Sequence, residues 1–155
     1  MERILVGMDI RETSLGAVYR AIHLAIRIKA PVYILVVTDD GVKSSGDDVL
    51  AALEGSVRKK LDLMIQLGRS EGVTVNYYVT QGVYEEEVIR FVEEKDVTLL
   101  VLGFVDENPK TKAEREFRKS LGNIRKRVNC SIELVHQKEP SLLAEEGDSS
   151  GPKAK

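Results

Sequence analysis

Five short apolar runs, separated by segments whose apolar residues recur every three or four positions, constrain this chain more than any other feature. Residues 4–8, 32–37, 73–79 and 99–102 are β-branched or leucine-rich and mostly continuous rather than alternating. Runs of that kind suit strands buried on both faces of a parallel sheet. A fifth run, residues 131–136, sets Ile132, Leu134 and Val135 among polar residues and reads as an edge strand. Between the runs lie four amphipathic helix candidates. The first carries Ala17, Val18, Ala21, Ile22, Ala25 and Ile28; the second Leu53, Val57, Leu61 and Met64. The third carries Val88, Ile89 and Val92, and the fourth Phe117, Leu121, Ile124 and Val128. Thr13 or Ser14 is placed to cap the first helix, and Asp47 or Asp48 the second, because their side-chain oxygens accept from the free amides of an opening turn. Strands alternating with helices imply a mainly parallel sheet with helices on both faces, a doubly wound α/β fold.

The apolar rhythm breaks in two places. Residues 39–48, with Gly41, Ser44, Ser45 and Gly46, form a long interruption before the second helix. Residues 138–155 collect prolines, glycines and serines that cannot offset the entropy of ordering, and are expected to be a disordered tail in which Leu142 and Leu143 are the one hint of a docking spot. A chain of 155 residues, 43% of them hydrophobic, buries one ordinary core, so a single domain is expected over residues 1–137. Its 25 acidic residues nearly balance 23 basic ones, giving no global field to draw it to nucleic acid or an anionic membrane. No apolar run approaches the roughly eighteen residues needed to cross a bilayer. Cys130 is the single cysteine, which excludes an internal disulfide, and with His23 and His136 it makes a poor basis for a metal centre. The start, Met1-Glu2-Arg3, runs into the first apolar run without the pattern of a secretory signal. A reducing cytoplasm is the expected location.

In a doubly wound sheet ligands bind beyond the carboxyl ends of the strands, where the winding reverses. The loops after the first and fourth strands are therefore the ones to inspect: Gly7 to Arg11, and Leu102 to Asp106. Asp9 ends an apolar strand, where its carboxylate accepts either from ribose hydroxyls or a base amino group, or from free amides at the start of the first helix. Gly103 permits close backbone approach or simply a tight exit from the strand. Between residues 106 and 127 eight basic residues face four acidic ones. That excess reads first as the solvated face of the fourth helix, with phosphate or acidic-partner binding as the competing reading. Glu85, Glu86 and Glu87 oppose the dipole of the third helix and read as structural. His23, His136 and Cys130 read as structural or surface residues. No nucleophile–histidine–acid constellation, Walker loop or dinucleotide glycine fingerprint is present.

The opening Ile4-Leu5-Val6-Gly7-Met8-Asp9-Ile10-Arg11-Glu12-Thr13-Ser14, followed by an alanine-spaced helix, resembles the first strand and turn of universal stress proteins. Residues 32–38, then Gly82-Val83-Tyr84-Glu85-Glu86-Glu87-Val88-Ile89, then residues 96–103 match further landmarks of that family in order, so the resemblance spans residues 3–136. It implies one Rossmann-like α/β domain with a five-stranded, mainly parallel sheet in the order 3-2-1-4-5. It also implies ATP or AMP as the ligand class, with Asp9, Val37 and Leu102 at the adenosine end, Gly7 beside them in the crevice, and Gly103 as the first of the phosphate-binding glycines. Nucleotide-binding members carry a glycine after strand four, a second three residues later, and a glycine followed by serine or threonine about ten residues further on, which lets backbone amides reach phosphates. Here the second position is Asp106, and Arg118 and Lys119 stand at the later pair.

A carboxylate at 106 opposes phosphate charge, whereas Arg118 and Lys119 offer phosphate contacts through side chains instead of backbone. The resemblance therefore implies a non-enzymatic stress-response or signalling protein with a degenerate adenine-nucleotide crevice. The alternative is an ATP or AMP sensor using Asp9 and those side chains. It further implies a homodimer paired through the last strand, acting on a protein partner whose identity the sequence does not reveal. A slow nucleotide hydrolase is the third reading and lacks an identifiable base or metal cluster.

Overall fold

The structure, a computed structural model, describes residues 2–9, 14–38, 55–104 and 111–136. Among them are five strands and four helices in strict alternation. They are β1 (Ile4–Asp9), α1 (Leu15–Ile28), β2 (Val32–Thr38), α2 (Gly55–Ser70), β3 (Val75–Gln81), α3 (Tyr84–Glu94), β4 (Leu99–Phe104), α4 (Lys112–Arg127) and β5 (Ser131–His136). The strands form one sheet in the order β3-β2-β1-β4-β5, and every neighbouring pair is parallel. The expected fold class and strand order are both present.

The sheet is covered on two faces, each with its own core. Ile4, Val6 and Met8 of β1 point to the face covered by α1 and α2, where Val18, Ile22, Leu61 and Ile65 pack on them. Leu5, Leu35 and Leu102 point to the opposite face, under Val88 and Val92 of α3 and Leu121 and Ile124 of α4. Alternation along each strand therefore assigns successive residues to opposite cores, and the central strands read as unbroken apolar runs because both faces are buried. Each large aliphatic side chain so buried contributes about 1.5–3 kcal/mol.

Local signals act as their chemistry requires. Ser14 is the N-cap of α1, accepting from the Ala17 amide at 3.3 Å, so of the two capping candidates Ser14 fills the role. Thr111 and Glu114 form a reciprocal capping box at the start of α4: the Thr111 amide donates to the Glu114 carboxylate at 3.1 Å and the Glu114 amide to the Thr111 hydroxyl at 3.0 Å. The sequence expectation missed this box because it placed the helix by its apolar stripe alone.

Three expectations need correction. The third strand runs Val75–Gln81 rather than over residues 73–79, because the Val73 amide closes the end of α2 on the Gly68 carbonyl. Nor is β3 buried on both faces: it is an edge, and Asn76, Tyr77 and Gln81 are exposed. Ile28, counted in the buried stripe of α1, is 45% exposed, since it lies in the last turn, beyond the buried Ala25. The suggested caps Asp47 and Asp48, the interruption at 39–48, Leu53 and the tail at 138–155 lie outside the described residues.

Candidate functional site

The carboxyl ends of the five strands lie along one margin of the sheet, and the register shows which residues share it. Asp9 stands opposite Val37 of β2, Gly7 opposite Leu102 of β4, and Gly103 opposite Val135 of β5. Because Leu5, Val37 and Leu102 belong to the core under α3 and α4, alternation turns Gly7 and Asp9 to that same face. Four of the residues picked from the sequence, Gly7, Asp9, Val37 and Leu102, therefore gather on one face at the central strands. Asp9 is 5% exposed, an unusual depth for a carboxylate at a strand end.

The element that builds this corner is one the sequence reading passed over. Tyr84, the first residue of α3, is buried, and its hydroxyl donates to the Gly7 carbonyl at 3.1 Å. A Cβ on Gly7 would sit 3.0 Å from Val88 Cγ2, 3.2 Å from Leu102 Cδ2 and 3.5 Å from the Tyr84 hydroxyl. Gly7 leaves the space that Val88 of α3 and Leu102 fill. Burial first, and the Asp9 carboxylate second, hold the Tyr84 phenol above its ordinary value, so it stays a proton donor at neutral pH. Its ring lies 5.4 Å from the Phe117 ring, which ties the corner to α4. The available signal was the pairing of an aromatic at a helix start with a glycine inside a buried strand.

Polar contacts continue along the margin toward β3. Thr38, 2% exposed, donates its hydroxyl to the Thr80 carbonyl at 3.3 Å, and Thr80 donates to Glu87 at 2.7 Å. Glu85 and Glu86 likewise have partners, Asn123 and Arg127 of α4, in keeping with a structural role for the acidic turn of α3.

The basic residues of α4 are placed differently. Arg118 and Lys119 are exposed, and both lie in the second turn of α4, whose amides bond within the helix. Lys119, two positions past the buried Phe117, projects from the opposite side of the helix. Their backbone is therefore not a helix start, and any contact they make with a ligand is through their side chains. The helix start lies at Thr111, where the Glu114 carboxylate of the capping box already takes up an amide. Asp106 lies outside the described residues.

His23 is half-buried within α1 with its ring 4.2 Å from that of Tyr19, and His136 ends β5. Cys130 is half-buried, and loss of water around it pushes its thiol up, as expected of an unreactive cysteine. Among the described residues no group of three or more metal-ligating side chains is assembled, and no helix is long and apolar enough to cross a membrane.

The chain was compared with known proteins. The model of the universal stress protein family matches residues 1–113. A universal stress protein of Methanocaldococcus jannaschii is 28% identical over 144 residues, covering 86% of this chain and 81% of its own. Among solved structures, a universal stress protein in complex with cAMP superposes with a TM-score of 0.62 at 21% identity, over 88% of this chain and 98% of that one. One from Archaeoglobus fulgidus in complex with dAMP gives 0.57 at 15% identity, over 86% and 97%. At these identities the structural matches establish the fold.

Proposed function

The chain belongs to the universal stress protein family, and from that premise we propose that it is a non-enzymatic stress-response or signalling protein, acting as a homodimer paired through β5, whose crevice keeps an adenosine end and has lost its phosphate end. The observation that carries this reading is the contrast between the two ends. Asp9 is buried on the face of Val37 and Leu102 at the switch point of the sheet, the place at which a carboxylate meets ribose hydroxyls or a base amino group. At the start of α4, where a phosphate would draw on free amides, the Thr111–Glu114 box places a carboxylate instead. Gly103 stands one residue past Leu102 as the backbone approach, while a carboxylate at 106 opposes phosphate charge and leaves only exposed basic side chains of α4, Arg118 first, to meet it.

Isothermal titration with AMP and with ATP in magnesium tests the reading. Weak saturable AMP binding, ATP no tighter than AMP, and loss of both in Asp9→Ala are expected. ATP binding tenfold tighter than AMP would overturn the degenerate phosphate end. Absence of any heat or thermal shift would leave a dimer without nucleotide.

The second reading, an AMP-type sensor, draws support from the two structural neighbours described with cAMP and dAMP, both adenine nucleotides with a single phosphate. It differs in expecting ligand to change the association of the protein with itself or a partner. Light scattering with and without AMP separates the two.

A further inference from the structure

Helix α4 carries two local features that weaken a helix, and nothing among the described residues compensates them. The first is Gly122, five residues short of the helix end. Glycine inside a helix is destabilising relative to alanine, and is kept where something needs the space. A Cβ at 122 would meet no atom within 4 Å, whereas at Gly7 and Gly68 it would come 3.0 Å from Val88 and 2.9 Å from Val75. Internal packing therefore explains those two glycines and not Gly122.

The second feature is a concentration of like charge. The residues that neighbour position 122 on the helix surface, three and four positions to either side, are Arg118, Lys119, Arg125 and Lys126, all exposed. Lys112, Arg115, Lys119 and Lys126 fall within about 60° of one another on a helix of about 3.6 residues per turn, opposite the buried Phe117, Leu121 and Ile124. Like charges at such spacings repel. Among the described residues none of Lys112, Arg115, Lys119, Arg125 and Lys126 pairs with a carboxylate. Arg127, which does pair, lies on the flank toward α3, where Glu86 meets it and Glu85 meets Asn123. Glu114 is taken up in the capping box, and the exposed Glu116 shares the flank of Asn123 and Arg127. The outward surface of α4 is thus a basic ridge about 21 Å long with a notch at Gly122.

Local rules broken without internal compensation mark a surface used for something else. The long side chains of lysine and arginine reach a phosphate or a carboxylate without a glycine between them. A notch matters only to a ligand that comes down onto the helix backbone, as a second helix does where a small residue lets two axes approach. The acidic first turn of α3 borders the ridge, so a wide polyanion such as a nucleic-acid duplex meets carboxylates as well as cations, whereas a single narrow segment does not. Phe117, the one aromatic residue of α4, is buried, so the ridge offers no ring for a base to stack on.

We propose that the outward face of α4 is a docking surface for an acidic helical segment of a protein partner, which crosses α4 at Gly122 with its carboxylates against Lys119, Arg125 and Lys126. Gly122 lies about 15 Å along α4 from its start, on the side away from the sheet, and the proposal does not depend on what the crevice binds.

The probe is a fluorescently labelled, alanine-based helical peptide of about 20 residues with glutamates at three- and four-residue spacing. Titrated with the purified chain at low salt, its anisotropy should show saturable binding that weakens as salt rises. Gly122→Gln keeps every charge and fills the notch. It should raise the urea midpoint, as a better helix former in open space, and weaken peptide binding about tenfold. Arg125→Gln combined with Lys126→Gln should weaken it by a similar factor. Peptide binding unchanged in Gly122→Gln would reduce the ridge to a charged surface and overturn the docking site, as would no binding at low salt. A lowered urea midpoint in Gly122→Gln would assign the glycine to internal packing and remove the argument for the notch. A DNA duplex bound more tightly than the peptide, and equally by Gly122→Gln, would give the ridge to nucleic acid instead.

Discussion

The Tyr84 hydroxyl donates to the Gly7 carbonyl at 3.1 Å, joining residues 77 positions apart and fastening the first turn of α3 to the strand that ends in Asp9. At position 7 a side chain would crowd Val88 and Leu102, the neighbours that pack beside this contact.

Substitution at either end should therefore destabilise for different reasons. Tyr84→Phe keeps the ring on Phe117 and removes one buried hydrogen bond, an expected loss of about 1–2 kcal/mol. Gly7→Ala forces a methyl to 3.0 Å from Val88 and 3.2 Å from Leu102, an overpacking expected to cost about 1–3 kcal/mol. Urea denaturation measures both. Because the residues touch, the double variant should depart from additivity.

The same phenol should shape stability at high pH. Its value in the folded protein is raised above the ordinary 10.0, by burial and then by Asp9. Above pH 10 the unfolded chain releases a proton that the folded chain retains. The contribution is complete below pH 10 and declines as pH climbs toward the folded value. Melting temperatures followed from pH 9 to 11 should fall less steeply in Tyr84→Phe than in the parent. Equal slopes would assign the alkaline loss to other groups.

Lys29 closes α1 in the left-handed conformation, with φ 57° and ψ 46°. A side chain there carries a steric cost that glycine avoids, against which stand the weak bond from Lys29 Nζ to the Glu71 carbonyl at 3.4 Å and the greater freedom of glycine in the unfolded chain. Lys29→Gly is expected to stabilise the protein by up to about 1 kcal/mol in urea. A loss of stability would mean that the ammonium contact outweighs the backbone conformation.

Arg69 covers the outward Val75 carbonyl of β3. Arg69→Ala should cost about 1 kcal/mol or less, since water replaces the guanidinium. It should also open that edge to strand addition. Sedimentation velocity is expected to show species larger than the parent forms at the same concentration. An unchanged distribution would show that the edge is protected by other means.

Local chemistry made much of this molecule legible before its structure was known. The apolar runs predicted β1, β2 and β4, since a strand buried on both faces must be apolar throughout; β5 showed as an edge by its mixed pattern, and β3 was placed two residues early. The three- and four-residue rhythm predicted the stripes Ala17–Val18–Ala21–Ile22 and Phe117–Leu121–Ile124, and a small hydroxyl side chain ahead of the rhythm predicted the Ser14 cap. Asp9 and Leu102 were picked by their places at strand ends and Val37 through the family resemblance, and the register gathers the three on one face.

What stayed hidden depends on distances between residues far apart in the chain. Neither a pattern nor a spacing tells that Val88 and Leu102 fill the space at Gly7 and that Tyr84 bonds its carbonyl, or that the start of α4 is closed by Glu114. Ile28 fits the helical rhythm and is nevertheless exposed; Val73 fits the strand pattern and belongs to a helix end. Hydrophobic periodicity is a property of neighbours along the chain, so the sequence determined the elements, their order and their buried faces. Which side chain fills which gap, and which edge is left open, was decided only when the packed sheet brought distant residues within contact distance, because close packing and hydrogen bonding act over a few ångströms in space and not along the chain.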